Sequence, residues 1–265
     1  MTSIGLTTYV GPAGDHNDRA MQAVRLVGEA VARRSNVEPT VIGRPVPSDP
    51  QSWEIELERA RGPLEDLAAR IEAVMSAGQL PVSAITRCAV ALATQPVIAR
   101  HRPDAVVVWL DAHADINVPD DTETGFLGGL ALSGPLGWWD SGLGAGFAQG
   151  QAVLVGSRDL DPNEAEHVRA GRIELVELGP GLGDRLAEVI AGRPVSFHLD
   201  CDVLEPGVVQ TDYQVPAGLS LDGLRECAEA VARSEIVGVE VAEFEGEGQA
   251  TADELIDALA PMFSS

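Results

Sequence analysis

The chain has 265 residues, 45% of them hydrophobic, and 41 acidic against 18 basic side chains give a formal net charge of −23. The length is ample for a buried core in one large domain or two small ones. The acid excess, with no lysine anywhere, excludes nucleic acid as a partner, because phosphate binding needs clustered Lys and Arg. Solubility and coding bias account for the charge more simply than steering of a cationic substrate. No stretch is long and apolar enough to span a bilayer, and Met1 to Leu6 carries no basic leader. Three cysteines without paired spacing suit a reducing cytoplasm.

In chain order, Ile4 to Val10 reads as a first strand. Arg19 to Arg33 reads as a helix, with Met21, Val24, Val27 and Val31 at helical spacing. A short strand at 40–42 precedes a helix from Pro63 to Met75, with Leu64, Leu67, Ile71 and Val74 on one face. A strand at 81–85 then leads into a helix from Ala89 to His101. Further strands fall at 105–111, 152–156, 173–177, 195–200 and 236–241, and helices at 163–171, 183–191, 221–233 and 251–262. The strands are rich in Val and Ile with little polar alternation. That pattern predicts an α/β fold of three layers, α/β/α, around a mostly parallel central sheet. The Gly-rich segment 125–150 reads as a long loop over the sheet, a kind of segment that is more often functional than idle.

Two acidic clusters end apolar strands. Asp111-Ala112-His113-Ala114-Asp115 follows Ala105 to Leu110, and Asp200-Cys201-Asp202 follows Val195 to Leu199. Open α/β sheets place their chemistry at such strand ends. Side chains alternate along a strand, so Asp111 and His113 share a face, as do Asp200 and Asp202. Four O and N donors from two neighbouring strand ends enclose a divalent ion. Mixed carboxylate and imidazole ligation suits Mn, Fe, Zn or Co better than Ca or Mg. Asp115 adds a ligand for a second ion or carries a proton. Any one of these aspartates alone is better explained by a cap or turn. Together, two uncompensated carboxylate pairs at buried strand ends would repel strongly without a cation.

Asp111 to Asn117 and Asp200-Cys201-Asp202-Val203-Leu204-Glu205-Pro206 resemble two signatures of the ureohydrolase family, which includes arginase, agmatinase and formiminoglutamase. Glu240-Val241-Ala242-Glu243 ends the last strand as the third signature does. The resemblance runs from about Leu80 onward; the first 75 residues match only in their alternation. It implies one arginase-like catalytic domain over 1–265 and manganese as cofactor, at up to two sites. Asp111, His113, Asp200 and Asp202 correspond to the ligands of one ion, with Asp111 and Asp200 bridging to the other and Asp115 its terminal ligand. Glu243 corresponds to the carboxylate beneath the substrate's guanidinium carbon. Glu240 either acts directly or supports from behind. Asp159 and Asp161 match the segment that holds a substrate α-amino group, with Asp161 in the direct role; both equally suit capping of the helix near Pro162. Asn117 and Thr124, with Thr122 beside them, resemble the residues that receive an α-carboxylate. These positions point to a small guanidino amino acid as the partner.

The departures are as informative. Arginases place a Gly-Gly-Asp-His stretch ahead of the Asp-Ala-His strand; here Ile85-Thr86-Arg87-Cys88 occupies the place. Cys88 thus stands at a ligand His position, either as a thiolate ligand or as a buried Cys at a strand-to-helix junction. Arg87 replaces an Asp and would oppose a second cation. Gly128 lies where arginases carry a His, and Phe126 replaces an Asn. Loss of one metal site reads either as decay to a binding protein or as retuning toward a guanidine that needs less activation. The Cys replacement and the Gly128 loop resemble the Nω-hydroxy-L-arginine amidinohydrolases of antibiotic biosynthesis, which release L-ornithine and hydroxyurea. Retuning leads over ordinary arginase activity and over a non-catalytic role. The implied reaction is metal-assisted hydrolysis, with Asp115 passing a proton to the departing amine. His198 reads as a core histidine, Cys201 as core, and Cys227 as helical. Deacetylases of similar fold use a His pair, which this chain lacks. The short segment after the last helix suits a monomer or small homo-oligomer.

Overall fold

In the computed structural model, residues 3–263 are described; Met1 and Thr2 of the N-terminal stretch read above, and the last two residues of the 1–265 span, lie outside them. Eight strands form one sheet in the order β2-β1-β3-β8-β7-β4-β5-β6, and every registered pair is parallel. They are β1 (Ile4–Tyr9), β2 (Thr40–Ile42), β3 (Leu80–Ala84), β4 (Val106–Leu110), β5 (Ala152–Val155), β6 (Glu174–Val176), β7 (Val195–Asp200) and β8 (Ile236–Ala242). The α/β/α reading of the sequence is what the chain adopts.

Burial on both faces explains the continuous apolar strands. In β4, Val106, Val108 and Leu110 enter one core while Val107 and Trp109 enter the other. The first core packs under α1 (Arg19–Ser35), α5 (Leu182–Ile190), α6 (Leu221–Val231) and α7 (Gln249–Ala258). The second packs under α2 (Trp53–Ser76) and α3 (Ala91–His101), with α4 (Pro162–Arg169) contributing Val168 at its margin.

Helix α2 begins ten residues before the expected start at Pro63, which lies inside it. Leu57, Ala60, Leu64, Leu67, Ile71 and Val74 make one buried stripe at alternating spacings of three and four. Burial of that whole stripe outweighs the local cost of an interior proline. Segment 125–150 is a loop as expected, interrupted by a 3-10 turn at Gly128–Leu130 and anchored in the second core by Leu127, Leu132, Leu136 and Phe147.

Register sets up the site. Leu110 pairs with Leu199, Leu199 with Val241, and Val241 with Ala84, so β4, β7, β8 and β3 end level with one another. The residues just past that row are Asp111, Asp200, Glu243 and the turn carrying Cys88.

Candidate metal centre

Strand β4 stops at Leu110, one residue earlier than the sequence suggested. Asp111 is fully buried; its Oδ1 accepts from the His113 backbone N–H at 2.7 Å and its Oδ2 from Trp109 Nε1 at 3.0 Å. The turn this makes brings His113 Nδ1 to 3.4 Å from Asp111 Oδ1 and 3.0 Å from Asp202 Oδ2. Asp200 repeats the device: its Oδ1 accepts from the Asp202 N–H at 2.7 Å, and a 3-10 turn over Cys201–Val203 follows. Asp202 then reaches across to β4, its Oδ1 accepting from the Ala112 N–H at 3.0 Å. Turn geometry, more than strand alternation, points these carboxylates together. Asp115 and Glu243 both sit at left-handed φ, 56° and 59°, a conformation non-Gly residues adopt only where the surroundings enforce it.

Among the described residues, three ligand sets have donor atoms within 4.8 Å of one another: Asp111, His113 and Asp202; Cys88, Asp111 and Asp115; and Cys88, Asp200 and Glu243. Cys88 Sγ lies 3.0 Å from Asp200 Oδ2 and 3.2 Å from His198 Nε2. All the expected ligand residues therefore converge. Cys88 is placed among them, inside the cavity wall.

The electrostatics are those of acids crowded out of water. Burial, reinforced by neighbouring aspartates, drives the Asp115 and Asp200 carboxyls well above the usual range. Asp202 is pushed up to about 6 by burial and by Asp111. Burial works to raise Asp111 too, but the hydrogen bond and charge of His113 hold it below its ordinary value. Burial disfavours the His113 cation, yet Asp111 and Asp202 outweigh it and raise the imidazole. One imidazole facing four buried aspartates leaves acids that either keep protons or share a bound cation. This donor set fits divalent transition ions better than calcium.

Above the cluster lies a cavity of about 230 Å³, lined by His113, Asp115, Asn117, Thr124, Phe126, Asp159 and Asp161 among others. Asn117 Nδ2 donates to Asp161 Oδ2 at 2.7 Å. Asp161 also caps α4, where Glu164 accepts from its backbone N–H at 3.0 Å in a capping box, so capping and cavity lining coexist. Thr122 does not line the cavity; its Oγ1 accepts from the Gly125 N–H and closes a turn. Glu240 is also absent from the lining. Its buried Oε2 accepts from Gln95 Nε2 at 2.8 Å and lies 3.0 Å from His198 Nδ1. The supporting reading of Glu240 is the one its geometry favours. His198 is fully buried as expected, yet it is bonded as well as packed, with its ring stacked on Trp109 at 3.5 Å. Cys201 and Cys227 are buried in the first core.

Three cavity side chains carry no signal that the sequence reading uses. Tyr213 sets its ring 5.2 Å from that of His113. Asp212 also lines the cavity. Glu164, pushed to about 7 by burial, braces the Asp115 loop through the Ile116 N–H at 3.0 Å. Phe126, which replaces an Asn of the arginase pattern, sets its ring 4.2 Å from that of His16. Asp212 and Tyr213 come from a loop and Glu164 from the first turn of α4, and no local pattern announces their approach to the cavity, although Thr211-Asp212-Tyr213 does lie in a Gly- and Pro-rich stretch. Arg87 departs from expectation too. Its charge is already matched, with Nε 2.8 Å from Asp15 Oδ1, and Nη1 2.6 Å from Glu243 Oε2 and 2.9 Å from Glu245 Oε1. A larger groove, about 1180 Å³ along β6, holds no metal-ligand cluster among the described residues, and Arg185 and Arg193 there are spent on backbone carbonyls.

The model of the arginase family matches residues 19–258, a span beginning well before the motifs at Leu80. An N(omega)-hydroxy-L-arginine amidinohydrolase of Streptomyces lavendulae is 35% identical over 267 residues, covering 99% of this chain and 98% of that one. An arginase of Schizosaccharomyces pombe is 35% identical over 160 residues, 53% of this chain and 49% of its own. Among solved structures, the arginase of Bacillus caldovelox superposes with a TM-score of 0.86 at 23% identity, over 100% of this chain and 99% of that one. The proclavaminate amidino hydrolase of Streptomyces clavuligerus gives 0.72 at 19%, over 98% and 93%. At those identities the superpositions speak to the fold alone.

Proposed function

The chain belongs to the arginase family and is an amidinohydrolase, and we propose that its substrate is Nω-hydroxy-L-arginine, hydrolysed to L-ornithine and hydroxyurea. The observation that carries this reading is Cys88, placed within ligand distance of Asp111, Asp115 and Asp200 where the arginase pattern has a His. The full-length relative from Streptomyces lavendulae, named for that substrate, supports it. Ordinary arginase activity is the second reading, favoured by the otherwise complete set of acidic ligands.

Asp111, His113, Asp200 and Asp202 would hold one divalent ion, and Cys88, Asp111, Asp115 and Asp200 a second, with manganese the ion we propose. When bound, such ions supply Lewis-acid polarisation and a nucleophile available at neutral pH. The chain's own residues do the rest. Asp161 and Asn117, tied to each other, present polar atoms for the substrate's amino-acid end, with Thr124 and Asp159 beside them. Glu243 offers its carboxylate beneath the guanidine carbon and orients it. Asp115, at the edge of the cluster and lining the cavity, relays a proton to the departing amine of ornithine. Burial of the whole cluster keeps bulk water from competing.

The test is product identification. Manganese-loaded protein should release hydroxyurea from Nω-hydroxy-L-arginine, and urea from L-arginine much more slowly. Metal-replete protein inert toward both would overturn the reading; faster release of urea would favour the second.

A further inference from the structure

We propose that Arg87 is a specificity-determining residue, occupying the charge of Glu243 so that the guanidine end of the cavity takes a neutral amidine in preference to a cationic guanidinium. This rests on the substrate reading above and deepens it.

Arg87 is only 2% exposed yet lines the cavity beside Glu243. Its Nη1 donates to Glu243 Oε2 at 2.6 Å, its Nε to Asp15 Oδ1 at 2.8 Å, and its Nη2 to the Asn17 carbonyl at 3.2 Å. The other Glu243 oxygen, Oε1, accepts from the Cys88 N–H at 2.9 Å. Both oxygens of Glu243 are thus engaged before any ligand arrives, and the Arg87 cation facing them is shared with Asp15 and with Glu245, which takes a second cation from Arg19. A guanidinium does not deprotonate in proteins, so this positive charge is permanent. L-Arginine seated over Glu243 would bring a second guanidinium against the first, in surroundings where like charges repel far more than in water. An N-hydroxyguanidine escapes that repulsion. The electron-withdrawing hydroxyl lowers its basicity, and its neutral form still presents N–H donors to the carboxylate.

Arg87 also ties the loop that follows β1 to the loop that follows β8, through Asp15 and Glu245. A purely structural role would affect every substrate alike, and selectivity separates the two cases. On the manganese-loaded native protein, calorimetry should find L-citrulline, the neutral isostere, bound at least as tightly as L-arginine. L-Arginine binding about tenfold tighter would overturn the proposal. Arg87→Gln should then shift the ratio of kcat/KM for Nω-hydroxy-L-arginine over L-arginine toward L-arginine by about tenfold, chiefly through KM for L-arginine. Arg87→Lys, which keeps the charge, should hold the native ratio. Equal losses on both substrates in Arg87→Gln would overturn it. Should that variant fail to fold, the citrulline comparison on native protein decides. Native protein that turns over neither substrate would remove the substrate reading, while the binding comparison still reports the charge preference.

Discussion

At Gly128 a Cβ would stand 2.5 Å from Phe126 Cε1, so the phenyl ring occupies the space a side chain there would need. The two departures from the arginase pattern in this loop are therefore a single change. Gly128→His alone should destabilise by about 1–3 kcal/mol through overpacking, and adding Phe126→Asn should recover most of it. Urea melts of the two single variants and the double check this; strictly additive costs would contradict the coupling. Cys88→His should strengthen binding of the second ion and raise activity on L-arginine. Because Cys88 Sγ already lies 3.2 Å from His198 Nε2, the gain should grow when His198→Ser makes room. Elemental analysis reads this, and unchanged occupancy in both variants would count against Cys88 at the ligand position. Asp111, His113, Asp200 and Asp202 were legible because their chemistry is written in adjacent residues. Glu240 was not decidable, since its partners Gln95 and His198 come from other elements and only the fold shows them facing it.

Secondary elements were legible wherever the hydrophobic period ran uninterrupted, as in α1 and β4. Helix α2 shows the limit: Pro63 looks like a first-turn residue, and only the packing of Leu57 and Ala60 reveals the helix before it. The interior proline forgoes a hydrogen bond, and its fixed φ offsets part of that loss by restricting the unfolded chain. Pro63→Ala should raise stability by about 1–2 kcal/mol, net of that offset. A melting temperature that stays level or falls would mean the proline is required for a bend that seats Leu57.

Taken as a whole, the molecule gathers an excess of buried acid at the level ends of its four central strands. The parallel character of the sheet was legible in strand composition, but the strand order and register that level those ends come from the fold alone. The 125–150 loop was legible as a loop, but how Phe126 and Tyr213 come to line the cavity was not, because their packing is set by contacts distant in sequence. The crowding has a pH signature. Asp202 at about 6, and Glu164 and Glu243 at about 7, hold protons in the metal-free fold that the unfolded chain releases lower. Their contribution to metal-free stability is full below the unfolded values near about 4 and is lost as pH rises through about 7. Metal binding needs the deprotonated forms, so its stabilisation grows over the same window. The melting-temperature gap between metal-loaded and chelator-treated protein should widen from about pH 5 to about pH 8. A constant gap would deny the acids this role. Retuning of the site from arginine to its N-hydroxy derivative is tested by internal competition. Manganese-loaded protein is given both amino acids in equal concentration, and hydroxyurea and urea are measured together, so their ratio reports the ratio of kcat/KM. Hydroxyurea in large excess is the result expected; urea equal to or above it would contradict the claim.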